Sequence, residues 1–471
     1  MAPFKKTTRA LRFMEVTQLS NENQLSLSKS PILRYITFIV LYFSQGIPEG
    51  ITIFAIPAWM AMNGKSALEI TGYSAIIIIP FSLKILLAPI FEKFTYLPMG
   101  RRRPWILFGQ FGILCSLIAL ANVPDPLNNM FTLTAVVLCV HVFIMFQDIA
   151  TDSLVIDVVP IEQQGKANSF MWGSKTIGTS ISIFIGSWLI NNHGFLNTVL
   201  IMSISVFFIM FVPLFLRERK GEKLLPWTKG ETSPDALFLQ VDTWTKLFKS
   251  FKQAVLLKNT LFLLFTAFVA MAGMHFMRTM LPLFTIQELG WDNVFYSKIY
   301  STSILAGGIA GMLIGAFIIQ RYGIIHLIQG SLFLSMVIAV TMAFSKPLWE
   351  NVNFVTVFIA LFCIFLTLIN IGLLALAMHL CWKRISAMQF TFCMTVFNAG
   401  MASGAALLGY LRSNFEWQML FIAFGLILII SMIILKFIKT NRHREQVEFL
   451  ESEYLHVLKA EGSLLVKSES A

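Results

Sequence analysis

Carboxylates and amines stand in this chain where hydrocarbon should exclude them. The stretch SQGIPEGI (44–51) sets Gln45 and Glu49 four residues apart inside an apolar run, with Pro48 between them. Positions four apart share one helix face, and a proline there weakens local backbone bonding. The stretch FQDIATDSLVIDVVP (146–160) repeats the pattern: Asp148 and Asp152 share a face, Gln147 stands beside them, and Asp157 follows at the end of the run. Lys84 and Lys175 interrupt other apolar runs, and MAGMHFMRTMLP (271–282) places His275 and Arg278 three apart. A charge inside a bilayer costs at least a few kcal/mol unless it is paired or hydrated. Three chemistries are open to such groups. A carboxylate held away from water protonates more readily and can carry a proton. A guanidinium can grip a carboxylate through two parallel hydrogen bonds. Acid and base can also simply pair and hold one conformation, the reading preferred for Asp157. Arg278 has a further bland alternative, reaching outward to the interface.

The elements that position these groups follow from composition. The chain has 471 residues, 56% hydrophobic and only 13% charged. A soluble chain carries roughly 25% charged residues, so a lipid-embedded protein is the expected class. Apolar stretches of about 20 residues, the length of a bilayer crossing, recur almost throughout. Twelve spans are expected, at 33–59, 68–95, 104–123, 130–157, 168–190 and 196–216, then 256–287, 296–320, 324–345, 352–380, 384–410 and 416–438. The fold class is an all-α membrane protein of two six-helix bundles, 33–216 and 256–438, joined by a connector at 217–255, with tails at 1–32 and 439–471. With the tails and the connector in the cytoplasm, 29 of the 36 Lys and Arg fall on that side or in those segments, as the bias of basic residues toward inner loops requires. The net charge of +11 then reflects loops facing anionic lipid, and no nucleic acid partner is expected. DTWTKLFKSFKQAVLL (242–257) has Trp244, Leu247, Phe248 and Phe251 at helical spacing with Lys246, Lys249 and Lys252 between. It reads as a basic amphipathic helix on the inner membrane surface. The tail REQVEFLESEYLHVLKAEG (444–462) is either a short helix or a solvated segment. The five cysteines lack metal or disulfide spacing.

Counting from the span ends places Asp152 and Lys175 at one depth and Asp148 and Lys84 at another, so both pairings are geometrically allowed. Glycines in AGGIAGMLIGAF (306–317) and NAGMASGAALLGY (398–410) allow close helix contacts. No phosphate-binding G-x-x-x-x-G-K-[ST] loop occurs, which argues against ATP-driven transport.

Between the second and third spans stands LAPIFEKFTYLPMGRRRPWILFGQ (87–110). Its Glu92–Lys93 pair, Gly100 and the arginines Arg101, Arg102 and Arg103 resemble the loop 2–3 signature of major facilitator transporters. The acid–base identities differ from the usual Asp–Arg, and the spacer is longer. With LYFSQGIPEGI, FQDIATDSLVIDVVPIEQQGKANS and WGSKTIGTSIS, this variant resembles the AmpG-like permeases and their acetyl-CoA transporter relatives. The match covers roughly 40–190; the second half agrees only in helix pattern. Trp172 and Lys175 stand where that group usually has Tyr and Arg.

The resemblance implies a proton-coupled symporter that brings muropeptides, GlcNAc-anhydro-MurNAc with or without peptide, into the cytoplasm. It implies a monomer in a bacterial inner membrane with both termini cytoplasmic, a proton gradient as the coupling ion, and no other cofactor. Lys84 and Arg278 would meet solute carboxylates, while Gln45, Gln147 and Asn398 would meet hydroxyls. Trp59, Tyr73 and Trp172 would stack on sugar rings. Glu49, Asp148, Asp152 and Lys175 would complete a proton and substrate cavity. The cluster Glu92, Lys93, Gly100, Arg101, Arg102 and Arg103 would lock a cytoplasmic gate against Asp157 and Glu162. Transport of another anionic solute, such as an acyl-CoA-like or siderophore-like molecule, and a non-transporting sensor on the same fold stay open; an integral membrane enzyme ranks last.

Overall fold

The computed structural model describes residues 25–241 and 243–469, so most of the expected 1–32 tail lies outside the described residues. Helix α1 (Pro31–Met62) opens on a cap: the Ser30 hydroxyl accepts the Leu33 N–H at 3.3 Å, and Pro31 has no N–H to leave unpaired. Just past Pro48 the helix widens into a π-helical segment over Gly50–Ala55, a common response to a broken backbone ladder. Helix α2 (Ala67–Lys93) starts on a reciprocal Ser66–Glu69 capping box. Helices α3 (Arg103–Ala121) and α4 (Met130–Val158) follow. The next helical run, Ile161–Phe215, is broken at Gly194, whose φ of 80° suits only a residue without a Cβ. It is therefore two helices, α5 (161–193) and α6 (195–215). Among the described residues eleven helical runs are long and apolar enough to cross a membrane; dividing this one at Gly194 gives the twelve read from the sequence.

The connector carries the amphipathic helix α7 (Trp244–Val255), with Trp244 and Phe248 exposed on one side. Helices α8 (Lys258–Gln287), α9 (Phe295–Tyr322), α10 (Ile324–Phe344), α11 (Val352–His379), α12 (Ser386–Arg412) and α13 (Trp417–Leu435) form the second set of spans. A final helix, α14 (Thr440–Glu469), ends the described chain.

The chain divides into two compact units. One holds the residues up to Pro160 together with Ile177–Gln240; the other holds Ile161–Thr176 together with the residues from Val241 onward. The boundary thus differs from the one read off the sequence: the connector splits at 240, and the first turns of α5 go with the second unit. Packing explains the transfer. Asn168 donates to the Ile371 carbonyl at 2.7 Å, and Trp172 packs on a cluster of Ile319, Leu368 and Ile371. In the first unit, apolar faces of α1 to α6 meet around Ile113, Leu117, Val137, Ile144 and Val199. In the second, α8 and α12 approach so closely at Gly404 that any side chain there would strike the Ala272 carbonyl.

The tail is a docked helix rather than a solvated segment. The Glu451 carboxylate pairs with buried Arg384 and accepts the Trp382 indole N–H at 2.6 Å, and the Arg384 guanidinium lies 4.2 Å from the Tyr454 ring centre. His443, whose pKa burial lowers, sets Nε2 2.8 Å from the Leu380 carbonyl oxygen.

Candidate transport site

The acids and bases singled out from the sequence fall into three places. The first lies inside the first unit. Lys84 of α2 and Asp148 of α4 pair at 3.1 Å with both side chains buried. One turn along α4, the buried Asp152 carboxylate accepts the Tyr42 hydroxyl of α1. Gln147 reaches back to α1 and donates to the Leu41 carbonyl at 3.3 Å. Gln45 is fully buried, and its amide nitrogen and oxygen both lack a hydrogen-bond partner. A buried amide in that condition is an incomplete polar site. Glu49 is half-buried at the edge of the π-helical segment. A second polar contact sits further along α1: Thr52 Oγ1 lies 2.8 Å from His141 Nε2, and the Thr52 carbonyl accepts the Tyr73 hydroxyl at 2.8 Å.

These contacts correct two residues expected to stack on a solute. Tyr73 is buried with its hydroxyl already used, and Trp59 stacks on Phe195, ring centres 5.1 Å apart. Both pack the core of the bundle because their rings face neighbouring helices. Trp172 is half-buried against the second unit, with the Lys175 ammonium 5.2 Å from its ring centre.

The second place is the loop after α2. Arg101 and Arg102 are fully buried and share two acids. Glu92 receives a guanidinium N–H from each at 2.6 Å, and Asp157 one from each at 3.1 Å. Burial opposes charge on Arg102, yet Glu92 and Asp157 hold its pKa above the ordinary value. Burial and the neighbouring Arg102 lower that of Arg101. Arg103 instead donates to the carbonyls of Pro213, Leu214, Lys223 and Leu224. Glu218, which sequence reasoning missed, organises the turn: its carboxylate accepts the backbone N–H groups of Arg101, Arg102 and Arg103. Gly100 makes room for it. Its φ is +103°, and a Cβ would lie 2.5 Å from Glu218 Cδ. Lys93 closes the last turn of α2. Glu162 was expected in this cluster but pairs with Arg444 at 3.6 Å, both exposed, because the start of α5 packs in the second unit. The acids that meet the arginines, Glu92 and Asp157, lie in the arginines' own unit, so these contacts staple the ends of α2, α4 and α6 together.

The third place is in the second unit. Arg278 of α8 is half-buried, and no carboxylate among the described residues lies within ion-pair distance. Tyr296 and Tyr300 of α9, Cys363 of α11 and His275 of its own helix feel its charge. The tyrosines stack at 5.5 Å. The spacing FYSKIY (295–300) was the available signal, two aromatics four apart. Asn398 of α12 is half-buried midway along its helix. Among the described residues, no group of three His, Cys, Asp or Glu converges as a metal site.

Two sets of six membrane helices, with ion pairs buried in the first unit and, in the second, a guanidinium that has no carboxylate within ion-pair distance among the described residues, make this a polytopic membrane protein. The profile described as Major Facilitator Superfamily matches residues 38–392, and the chain belongs to that family. A protein named AmpG 1 from Rickettsia bellii is 22% identical over 402 residues, covering 81% of this chain and 92% of that protein. The anhydromuropeptide permease of Escherichia coli K12 is 25% identical over 151 residues, 32% of this chain and 30% of the permease. An uncharacterized protein of Haemophilus influenzae is 24% identical over 286 residues, and the match spans only 64% of its length. Among solved structures, the major facilitator transporter FucP superposes with a TM-score of 0.67 at 12% identity, covering 88% of this chain and 99% of FucP. At that identity the likeness concerns the fold.

Proposed function

We propose that this protein is a proton-coupled symporter carrying muropeptides, GlcNAc-anhydro-MurNAc units with or without peptide, into the cytoplasm across a bacterial inner membrane. The observation that carries the reading is the buried Lys84–Asp148 pair with the Asp152–Tyr42 hydrogen bond one turn away. A buried pair of this kind is bistable toward protons. Protonating Asp148 removes the charge that holds Lys84 and leaves an ammonium in a low-dielectric site. An entering carboxylate restores the balance, so proton and anion are favoured together. Return of the proton to the inner side re-forms the pair and expels the anion. Glu49 and Gln45 on α1 face the same exchange, the first as a second protonatable group and the second as an unsatisfied amide for hydroxyls. The arginine staple keeps the ends of α2, α4 and α6 acting as one body, the form in which it serves a gate.

The AmpG-named relatives support the solute class. A second reading, transport of another anionic solute, is favoured by the permease match covering only a third of the chain. The test is uptake of labelled GlcNAc-anhydro-MurNAc into proteoliposomes with an acid exterior. Wild type should accumulate it. Asp148→Asn and Glu49→Gln should lose gradient-driven accumulation while remaining monodisperse. A well-folded wild type that accumulates nothing sinks the muropeptide reading.

A further inference from the structure

We infer that Arg278, with the stacked Tyr296–Tyr300 pair, forms an anion subsite in the second unit, built for a carboxylate borne next to a ring. The inference rests on the transport reading above only in assuming that an organic anion enters the bundle.

Three observations converge. Arg278 is the first. A guanidinium stays charged at any physiological pH, and within the membrane such a charge needs an anion or water beside it. No carboxylate among the described residues lies within ion-pair distance, whereas Lys84 in the first unit has Asp148 at 3.1 Å. The second is Tyr300. Its hydroxyl is buried and makes no close hydrogen bond; what it has is a looser contact with the Arg278 guanidinium beside it. A buried hydroxyl left unmade costs about as much as a lost hydrogen bond. A carboxylate oxygen placed between Arg278 and Tyr300 would satisfy both. The third is the aromatic pair, stacked at 5.5 Å with an interplanar angle of 19°: Tyr296 is buried and backs the half-buried Tyr300, whose ring is the one left for a sugar or aryl group to pack on. Half-burial of Arg278 keeps the group reachable. Arg278 lies in the C-terminal third of α8, and Tyr296 and Tyr300 lie in the first two turns of α9. The subsite is therefore shallower than Asn398, midway along α12.

The chemistry predicts selectivity for charge at one position. Purified full-length protein in nanodiscs would be titrated with two acids and their carboxamides. One is GlcNAc-anhydro-MurNAc. The other is 2-phenoxypropionate, an aryl ether with the same kind of lactyl carboxylate. Wild type should bind each acid about 10- to 100-fold more tightly than its amide, the factor for a charge-assisted bidentate contact. Arg278→Gln should abolish that ratio, Arg278→Lys should retain part of it, and Tyr300→Phe should weaken acid binding severalfold without changing amide binding. Absence of acid–amide discrimination in wild type for both probes overturns the subsite. So does discrimination that survives in Arg278→Gln. Discrimination for phenoxypropionate without muropeptide flux would leave the subsite standing and remove the muropeptide reading. Muropeptide flux with discrimination unchanged in Arg278→Gln would do the reverse. If Arg278→Gln fails to fold, the Arg278→Lys and Tyr300→Phe ratios decide.

Discussion

Glu218 binds backbone more than side chains: three consecutive N–H groups, those of Arg101, Arg102 and Arg103, close on one carboxylate, which also meets the Arg219 guanidinium at 3.3 Å. Such a cradle holds anions well because each donor is fixed. Gly100 permits it, so Gly100→Ala should cost about 1–3 kcal/mol, the scale of a forced left-handed residue. The loss would be read as a lower thermal midpoint of the detergent-solubilised protein. Asp157→Asn leaves two buried guanidinium groups with one carboxylate, and should cost about 3–5 kcal/mol by the same assay. A neighbour of Glu218 titrates in a useful range. Burial, and next the charge of Glu218, push the Glu222 carboxyl up to about 8. Its folded pKa thus exceeds its unfolded value, and the folded state binds more protons between roughly pH 4.5 and 8. Stability from this group is present at low pH and falls as pH rises through that window. Glu222→Gln should flatten the fall, measured as thermal midpoints at pH 5, 6.5 and 8; an unchanged slope would assign the pH dependence elsewhere. Sequence reading found the arginines and Asp157 because side-chain charge is visible in letters. It missed Glu218 because most of the groups it binds belong to the backbone, which every residue carries.

Among the elements, α14 and α7 are attached to the second unit in different ways. Helix α14 depends on specific partners: Arg384, Trp382 and Leu380 hold Glu451, Tyr454 and His443. Glu451→Ala removes the carboxylate from a buried guanidinium. Hydrogen exchange at the 380–385 loop and along the helix should then quicken by tenfold or more. Helix α7 shows an aromatic and basic face, Trp244 and Phe248 with Lys246, Lys249 and Lys252. Charge attraction to anionic lipid is worth about 1 kcal/mol per lysine. Replacing all three with Gln should weaken binding of a 243–257 peptide to anionic vesicles by about 100-fold, and hardly alter binding to neutral ones. The two differ in legibility. The period of α7 was plain, since apolar and basic residues alternate around one turn. Docking of α14 was not, since Arg384 and Glu451 stand 67 residues apart and nothing local links them.

At the scale of the molecule, hydropathy settled most of the architecture. Span length is fixed by the bilayer, so apolar runs located the membrane helices within a few residues. The division of the units was harder to read, because the opening turns of α5 pack on α9 and α11 through Asn168 and Gly173 rather than within the first unit. The paired Lys84 and Asp148 were legible as equal depths. The tyrosine pair near Arg278 was not: the sequence offered Trp59 and Tyr73, which turned inward, while Tyr296 and Tyr300 stand in a run of mixed polarity. An even number of crossings predicts that both ends of the chain share one side. Protease-cleavable tags at the two termini should therefore be protected, or exposed, together in sealed vesicles of one orientation.

The arginine staple also bears on synthesis. Arg103 and Glu218 are separated by 115 residues. A ribosome adding about 5–20 residues per second needs roughly 6–23 s to supply the missing acid. During that interval the three arginines have only Glu92, and later Asp157, to offset them and so keep a net positive charge at the turn. They anchor the hairpin of α2 and α3 on its side of the bilayer while later helices emerge. Arrival of α6 then draws them into the protein, and the same charges that guided insertion become the bolt that ends it.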